Sequence, residues 1–134
     1  MFFSDATNGV WHRGGEDFYR TMSTAAIQDG IVYISSLSGF VHALDAETGE
    51  YFWTHDTFAA VWASPFAADG KVYIGDEDGD IAVMRAGKEL EVLGEYNMGA
   101  AVYSTPVVSD GVMYILTRNR LWALKEGANA GAPD

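Results

Sequence analysis

The chain repeats itself with a period of 40 or 41 residues. Three segments superpose, and they read STAAIQDGIVYI from Ser23, ASPFAADGKVYI from Ala63 and STPVVSDGVMYI from Ser104. A repeat of this length is one supersecondary unit, which buries its apolar face only by stacking against its neighbours. We therefore expect a row of similar units.

Each unit is predicted to consist of antiparallel β-strands. Apolar residues alternate with a period of two, Val, Ile, Tyr and Phe are frequent, and the breaks fall at Asp-Gly and similar pairs, which favour tight hairpin turns. The predicted strands span residues 24–28, 31–35, 40–45, 50–55, 64–68, 71–75, 80–85, 90–96, 105–109, 112–117 and 120–124, and residues 8–13 form a further outer strand.

Proline positions indicate which strand lies at the edge of each unit. Pro65 and Pro106 begin the first strand of their units, and proline cannot donate a hydrogen bond to a ladder. In a β-propeller the innermost strand is such an edge. We predict an all-β propeller over residues 1–125, with about three four-stranded antiparallel blades, and a flexible tail at residues 126–134. The blade units are 23–56, 63–96 and 104–125, with 8–13 as an outer strand.

Charge and composition exclude several functions. Eight Lys and Arg residues against nineteen Asp and Glu residues give a formal charge of -11, which disfavours nucleic acid as a partner. The chain has no cysteine, so it has no disulfide and no thiolate site. No stretch approaches the roughly 18 apolar residues of a membrane span, so we expect no membrane insertion. Any export signal would lie outside this chain.

The segment HALDAETGEYFW at residues 42–53 indicates which kind of propeller repeat the chain contains. It resembles the tryptophan-docking motif of the pyrroloquinoline quinone (PQQ) repeat, which occurs in quinoprotein dehydrogenases and in noncatalytic relatives. The residues that carry the resemblance are Ala43, Asp45, Thr48, Gly49 and Trp53, with Trp11 in the place of Trp53 one unit earlier. The second unit keeps Ala82 and the third keeps Ala123.

This resemblance implies structural roles for the motif. In the family the tryptophan ring lies flat between neighbouring blades, where it fills the gap and donates one hydrogen bond. Trp11 and Trp53 are therefore expected to be structural. Asp45 and Thr48 are expected to hold the turn, as short polar side chains do.

Two functions remain open. The first is a noncatalytic binding or protein-interaction scaffold, comparable to the outer-membrane assembly lipoproteins of the family, with no cofactor. The alternative is a segment of a PQQ-dependent dehydrogenase, an oxidoreductase that holds PQQ and calcium in a complete ring. The resemblance implies a periplasmic or other extracytoplasmic location in either case.

Large side chains recur in the loops that lead into the inner strands. Met22, Trp62 and Tyr103 each lie two residues before the first strand position of their unit. Such loops line one mouth of a propeller channel, so Arg20, Trp62 and Tyr103 are our candidates for ligand binding. The other interpretation is that the aromatic rings plug the channel or pack between blades. Further polar groups in these loops are Glu16, Asp17, His55 and Asp56.

The acidic segment GDEDGD is the weak candidate for a metal site. Asp76, Asp78 and Asp80 offer oxygen ligands at alternate positions, but the positions of glycine and of the twelfth residue differ from the EF-hand pattern. The alternative is a solvated turn between two strands.

Three blades do not close a ring, and an open arc leaves an unpaired strand edge. We expect either that the chain is part of a longer propeller or that copies associate head to tail. In the second case, the strand at residues 8–13 of one copy would complete the third blade of the next. A protein partner or self-association would thus complete the propeller.

Overall fold

The computed structural model describes residues 3–15 and 18–128, and these residues form three antiparallel β-sheets. The strands are β1 (Ala26–Gln28), β2 (Ile31–Ser35), β3 (Phe40–Asp45), β4 (Tyr51–Asp56), β5 (Phe66–Ala68), β6 (Lys71–Gly75), β7 (Asp80–Arg85), β8 (Val92–Asn97), β9 (Val107–Ser109), β10 (Val112–Leu116) and β11 (Leu121–Leu124). The first two sheets have four strands and the third has three. The all-β prediction, with blades of four antiparallel strands, is confirmed.

The Asp-Gly pairs form the first hairpin turn of every sheet. Asp29, Asp69 and Asp110 have φ angles of 52°, 52° and 51°, and the glycine that follows each has a positive φ of 70° to 76°. Two successive residues with positive φ are what a two-residue type I′ turn requires, and this turn matches the twist of the strands on either side. The repeated Asp-Gly pair therefore sets the register of the first two strands of each unit.

The first strand of each sheet is an edge strand. Within each sheet the strands are ordered by sequence, so that β1, β5 and β9 each pair on one side only. Pro65 and Pro106 directly precede β5 and β9. Proline is tolerated at the start of an edge strand because it has no N–H group to donate to the ladder.

Hydroxyl groups join these inner edges to one another. The Thr24 N–H group donates to Ser64 Oγ at 2.8 Å, and the Ser64 N–H group donates to Thr105 Oγ1 at 3.1 Å. The three positions are equivalent in the repeat, since they lie 40 and 41 residues apart. Successive sheets are thereby held together along a common inner edge.

The core lies in the seams between stacked sheets. The seam between the first and second sheets holds the larger cluster of buried side chains, which includes Tyr33, Val41, Ala43, Trp53, Val61, Val72, Ile74 and Met84. The seam between the second and third sheets holds Ile81, Val83, Val102 and Ile115. Because each sheet buries its faces against its neighbours, the stability of one unit depends on the next.

Trp53 bridges the first seam. Its side chain is only 7% exposed, its Nε1–H group donates to the Gly87 carbonyl at 2.9 Å, and its ring lies 5.9 Å from that of Tyr33. The Tyr33 hydroxyl in turn accepts a hydrogen bond from the Gly87 N–H group at 2.9 Å. Both polar groups of one turn residue in the second sheet are thus bound by aromatic side chains of the first.

The strand register corrects the alignment of the second unit. Ala43 pairs with Tyr33, whereas Ala82 pairs with Ile74 and so occupies the position of His42. Val83, which pairs with Tyr73, is the true equivalent of Ala43. The sequence-based alignment of Ala82 with Ala43 was wrong by one residue. Ala82 lies one position before Val83, and it was taken for the alanine of the motif because it is the same residue type.

Residues 8–13 differ from the prediction of an outer strand. They form irregular backbone, because no strand among the described residues lies beside them to form a ladder. Of the predicted tail, residues 126–128 belong to a turn that the Ala128 N–H group closes by donating to the Lys125 carbonyl at 3.1 Å. Residues 129–134 lie outside the described residues.

Replacing Trp53 with Phe should destabilise the protein by about 1 to 3 kcal/mol, because it leaves the Gly87 carbonyl unpaired and opens a gap in the seam. The same substitution at Trp62, which is 38% exposed, is the matched control and should cost less than about 0.5 kcal/mol. Urea unfolding followed by far-ultraviolet circular dichroism measures both. Equal losses at the two positions would contradict the role of the seam.

Candidate functional site

The loops that enter each sheet are held at one end of the molecule by backbone hydrogen bonds. The N–H groups of Leu37, Glu77 and Arg118 donate to the carbonyls of the preceding loops, at distances of 2.7, 2.9 and 2.8 Å. Their partners are the carbonyls of Arg20, Ala60 and Ala101. Every loop is thus fixed to the turn between the second and third strands of its own sheet, and loop and turn side chains meet at that end.

A cavity of about 430 Å³ opens at this end, and we call it the mouth cavity. It is lined by Met22, Trp62, Glu77 and Tyr103. The rings of Trp62 and Tyr103 meet edge to face, with their centroids 6.3 Å apart and an interplanar angle of 89°. Met22, Trp62 and Tyr103 are 52%, 38% and 42% exposed, so they form an accessible apolar surface among the described residues.

The repeat alignment located three of the four lining residues. Met22, Trp62 and Tyr103 occupy equivalent positions in successive units, and the structure brings them together. Glu77 was missed: the repeat places its turn at the same end as the loops, but the sequence does not show which turn side chain reaches the cavity.

The other residues considered for the mouth lie elsewhere. The Arg20 carbonyl accepts a hydrogen bond from Leu37, but its side chain does not line the mouth cavity. His55 Nε2 lies 3.9 Å from the carboxylate of Glu95 on β8, and Asp56 Oδ1 accepts a hydrogen bond from the N–H group of a loop residue, Phe58. Glu16 and Asp17 lie outside the described residues.

Asp76 has a structural environment within the acidic segment. Its side chain is 3% exposed, and its Oδ1 accepts a hydrogen bond from the Asp80 N–H group at 3.0 Å. Ser36 and Thr117, at the equivalent positions of the other units, are also buried polar residues. Burial raises the pKa of the Asp76 carboxyl above its usual value, although hydrogen bonds from backbone N–H groups, first that of Asp80, oppose the shift.

The three carboxylates of this segment do not converge. Asp80 Oδ1 accepts a hydrogen bond from the Asn97 side chain at 2.8 Å, and the same amide group donates to the Asp78 carbonyl at 3.2 Å. Across residues 3–15 and 18–128, no three His, Cys, Asp or Glu side chains lie close enough to hold a metal ion. The described residues therefore do not fit the calcium ion that PQQ requires in the dehydrogenases.

The tryptophan-docking motif forms a compact turn between β3 and β4. Asp45 Oδ1 accepts hydrogen bonds from the N–H groups of Glu47 and Thr48 at 2.8 and 3.1 Å. These hydrogen bonds, first that from the Thr48 N–H group and then that from Glu47, lower the pKa of the Asp45 carboxyl below its usual value. Thr48 Oγ1 accepts a hydrogen bond from Glu50 N–H at 3.2 Å. The motif residues thus satisfy one another within the turn.

Trp11 docks on this turn from the preceding segment. Its Nε1–H group donates to the Ala46 carbonyl at 2.9 Å. Gly49 has a φ of 72°, and a Cβ atom there would lie 2.6 Å from the Trp11 ring, so only glycine lets the indole lie flat on the backbone. Trp11 therefore relates to the first sheet as Trp53 relates to the second.

No helix in the described part of the chain is long and apolar enough to cross a membrane.

Comparison with known families gives a match over most of the chain. A sequence model for a family described as "Outer membrane protein assembly factor BamB" matches residues 5–89. The outer membrane protein assembly factor BamB of Moranella endobia is 30% identical over 131 residues, which cover 89% of this chain and 33% of that protein. The chain thus spans about one third of the length of this relative.

Two further matches concern the fold and a second class of protein. The crystal structure of BamB from Moraxella catarrhalis aligns with a TM-score of 0.68 at 24% identity, covering 78% of this chain and 33% of that one. The quinohemoprotein alcohol dehydrogenase of Comamonas testosteroni is 29% identical over 100 residues, which cover 62% of this chain and 13% of the enzyme. The propeller blade is common to both classes.

The raised pKa of Asp76 predicts a pH-dependent stability difference. The folded protein holds the proton more tightly than the unfolded chain, so this group makes the protein less stable as the pH rises from the ordinary Asp pKa of 3.8 through the raised value. Relative to Asp76→Asn, the wild-type protein should therefore lose stability over that interval and reach a constant difference above it. Urea midpoints measured from pH 3.5 to 7.5 test this.

Asp78→Asn is the matched control, because Asp78 lies in the same turn and is exposed. Its difference from the wild type should vary with pH less than that of Asp76→Asn, because the Asp78 charge is only the smallest cause of the raised pKa of Asp76. A difference between wild type and Asp76→Asn that stays constant across the whole range would contradict the assigned environment.

Proposed function

This chain belongs to the PQQ-like propeller family described as outer membrane protein assembly factor BamB, and from that premise we propose that it is a noncatalytic, protein-binding segment that serves outer membrane protein assembly. The proposal places it in the periplasm, on the inner side of the outer membrane. The observation that carries it is the mouth cavity, an exposed aromatic surface built by three successive units.

The lining of the mouth cavity supports binding rather than catalysis. Three of its four side chains are apolar or aromatic, and Glu77 is the single carboxylate among them. A catalytic site needs several polar groups in mutual contact, such as a base beside a nucleophile. Partly exposed Trp and Tyr side chains, in contrast, are the residues that most often anchor a bound protein segment.

The dehydrogenase alternative finds less support. Its relative matches a smaller part of the chain, and the described residues offer no ligand set for calcium. We expect that adding PQQ with calcium leaves the melting temperature unchanged.

We further propose that the propeller continues from the open edge of β11. The third sheet has no fourth strand among the described residues, and Leu121 and Leu124 on this edge are 64% and 40% exposed. Trp122 Nε1 is buried without a hydrogen-bond partner. His42, its equivalent in the first sheet, has such a partner in Thr54 of the fourth strand, at 2.8 Å. A strand from another part of a longer chain, or residues 8–13 of a second copy, would supply what β11 lacks.

The mouth can be tested by photocrosslinking in cells that make the protein at its native level. A benzoyl-phenylalanine in place of Tyr103 should form adducts with outer membrane proteins or with subunits of their assembly machinery, identified by mass spectrometry. The same residue in place of Tyr96, which is 61% exposed on β8, is the matched control and should not. No adduct at position 103, or the same adducts at both positions, would argue against the mouth as the binding surface.

The second-copy version of the β11 proposal predicts a concentration-dependent mass. Light scattering should show a shift toward assemblies of two or more chains as concentration rises. Val10→Pro should abolish it, because proline removes a ladder N–H group, while Ala6→Pro outside the segment should not. A monomer at every concentration would exclude the second copy and leave β11 to a strand from elsewhere.

A further inference from the structure

The carboxylate of Glu77 stands at the mouth cavity without a partner. In the part of the chain that the structure describes, it takes part in no ion pair and no side-chain hydrogen bond; only its backbone N–H group is bound, to the Ala60 carbonyl. Glu91, by comparison, lies 2.6 Å from Arg85. The side chain of Glu77 is exposed and lines the cavity, so its charge is available to a ligand.

The aromatic rings beside this carboxylate favour the same kind of ligand. A cation is attracted to the face of a Trp or Tyr ring, and an arginine can also stack on it. Because Trp62 and Tyr103 meet edge to face, the contact covers a face of only one of the two rings, whereas a parallel stack would cover a face of each. Both keep a substantial exposed surface within the cavity.

The negative charge around the cavity also favours a positively charged ligand. The chain carries a formal charge of -11, and the exposed Asp78 lies next to Glu77 in the same turn. Among the four lining residues none is basic, so no side chain of the cavity itself competes for the carboxylate. A positively charged segment would be attracted over a distance and then held at this point.

The size of the cavity suits a long side chain. A volume of about 430 Å³, open to solvent, lies within the usual range of binding pockets and exceeds what a guanidinium group and its three methylene groups occupy. The thioether of Met22 supplies a flexible apolar contact for the methylene groups.

We propose that the mouth cavity receives an arginine side chain of the bound protein segment, with the guanidinium on the Glu77 carboxylate and against the rings of Trp62 and Tyr103. This deepens the proposed function, on which it rests, by assigning the chemistry that the partner must present. Arginine suits the cavity better than lysine, because its planar group can both stack on a ring and bind a carboxylate through two N–H groups.

A pair of synthetic peptides tests the assignment. The first is acetyl-Gly-Ser-Leu-Arg-Leu-Ser-Gly-amide, and the second has citrulline, which has nearly the same shape but no charge, in place of arginine. Binding to the whole chain is followed by the indole N–H resonance of Trp62 in ¹⁵N-labelled protein, assigned with Trp62→Phe. The arginine peptide should bind roughly two- to fivefold more tightly than the citrulline peptide, and more weakly as salt is added.

Substitution of the carboxylate identifies its part in this preference. Glu77→Gln keeps the shape of the side chain and should reduce the preference for arginine toward that of the rings alone. Glu89→Gln, in the exposed connection between β7 and β8, is the matched control and should leave the ratio unchanged. A lysine peptide that binds as tightly as the arginine peptide would overturn the choice of arginine.

Three results would overturn the proposal as a whole: no shift of the Trp62 resonance with any peptide, equal binding of the arginine and citrulline peptides, or an unchanged ratio in Glu77→Gln. Its failure is distinguishable from that of the proposed function. Specific crosslinks at position 103 without a preference for arginine would keep the protein-binding function and reject only this ligand. A preference for arginine without crosslinks would do the reverse.

Discussion

The structure depends on hydrogen bonds that fix the first sheet to the second at both ends of their seam. At the outer end the Trp53 indole donates to the carbonyl of Gly87, and at the inner end the hydroxyl of Ser64 accepts from Thr24. A sheet of four short strands is not stable alone, so it must bury its faces against neighbours. Apolar contact alone would allow the sheets to slide, whereas two directional bonds far apart fix their angle. The mouth cavity requires that angle, because Met22 and Trp62, which both line it, come from the two units that these bonds join.

The seams reach this geometry with different residues. Gly49 gives the Trp11 ring room to lie on the first turn. The second turn lacks the Thr-Gly pair; there the Gly87 carbonyl accepts from Trp53, and the Gly87 N–H group donates to the Tyr33 hydroxyl. On β2 the hydroxyl of Ser35 bonds to the Ala63 carbonyl at 3.1 Å. At the equivalent end of β6, Gly75 has no side chain, and a Cβ atom there would overlap Val102. The spacing between sheets is therefore the same in each unit, but the side chains that fill it differ from unit to unit.

The strands could be predicted from the sequence because their signals are local. The predicted bounds 40–45 and 71–75 agree with β3 and β6, since alternation and the Asp-Gly turn both act within a few residues. The contact between Trp62 and Tyr103 could also be predicted, because repeat alignment shows that they occupy equivalent positions in successive units. The position of Glu77 could not, because its approach to the loops depends on sheet twist and on backbone bonds. Residues 8–13 form no strand within this chain, since a strand needs a neighbour that local sequence does not provide.

The mouth can carry function because its side chains are not needed for the fold. The loops are held by backbone bonds, such as those from the N–H groups of Glu77 and Arg118, and these bonds exist whatever side chain is attached. Met22, Trp62 and Tyr103 are therefore exposed on a rigid support rather than buried in the core. A partner that binds them orders few additional groups, so little of the binding free energy is lost to conformational entropy. The same fold can thus serve different partners through a change of a few side chains at this end.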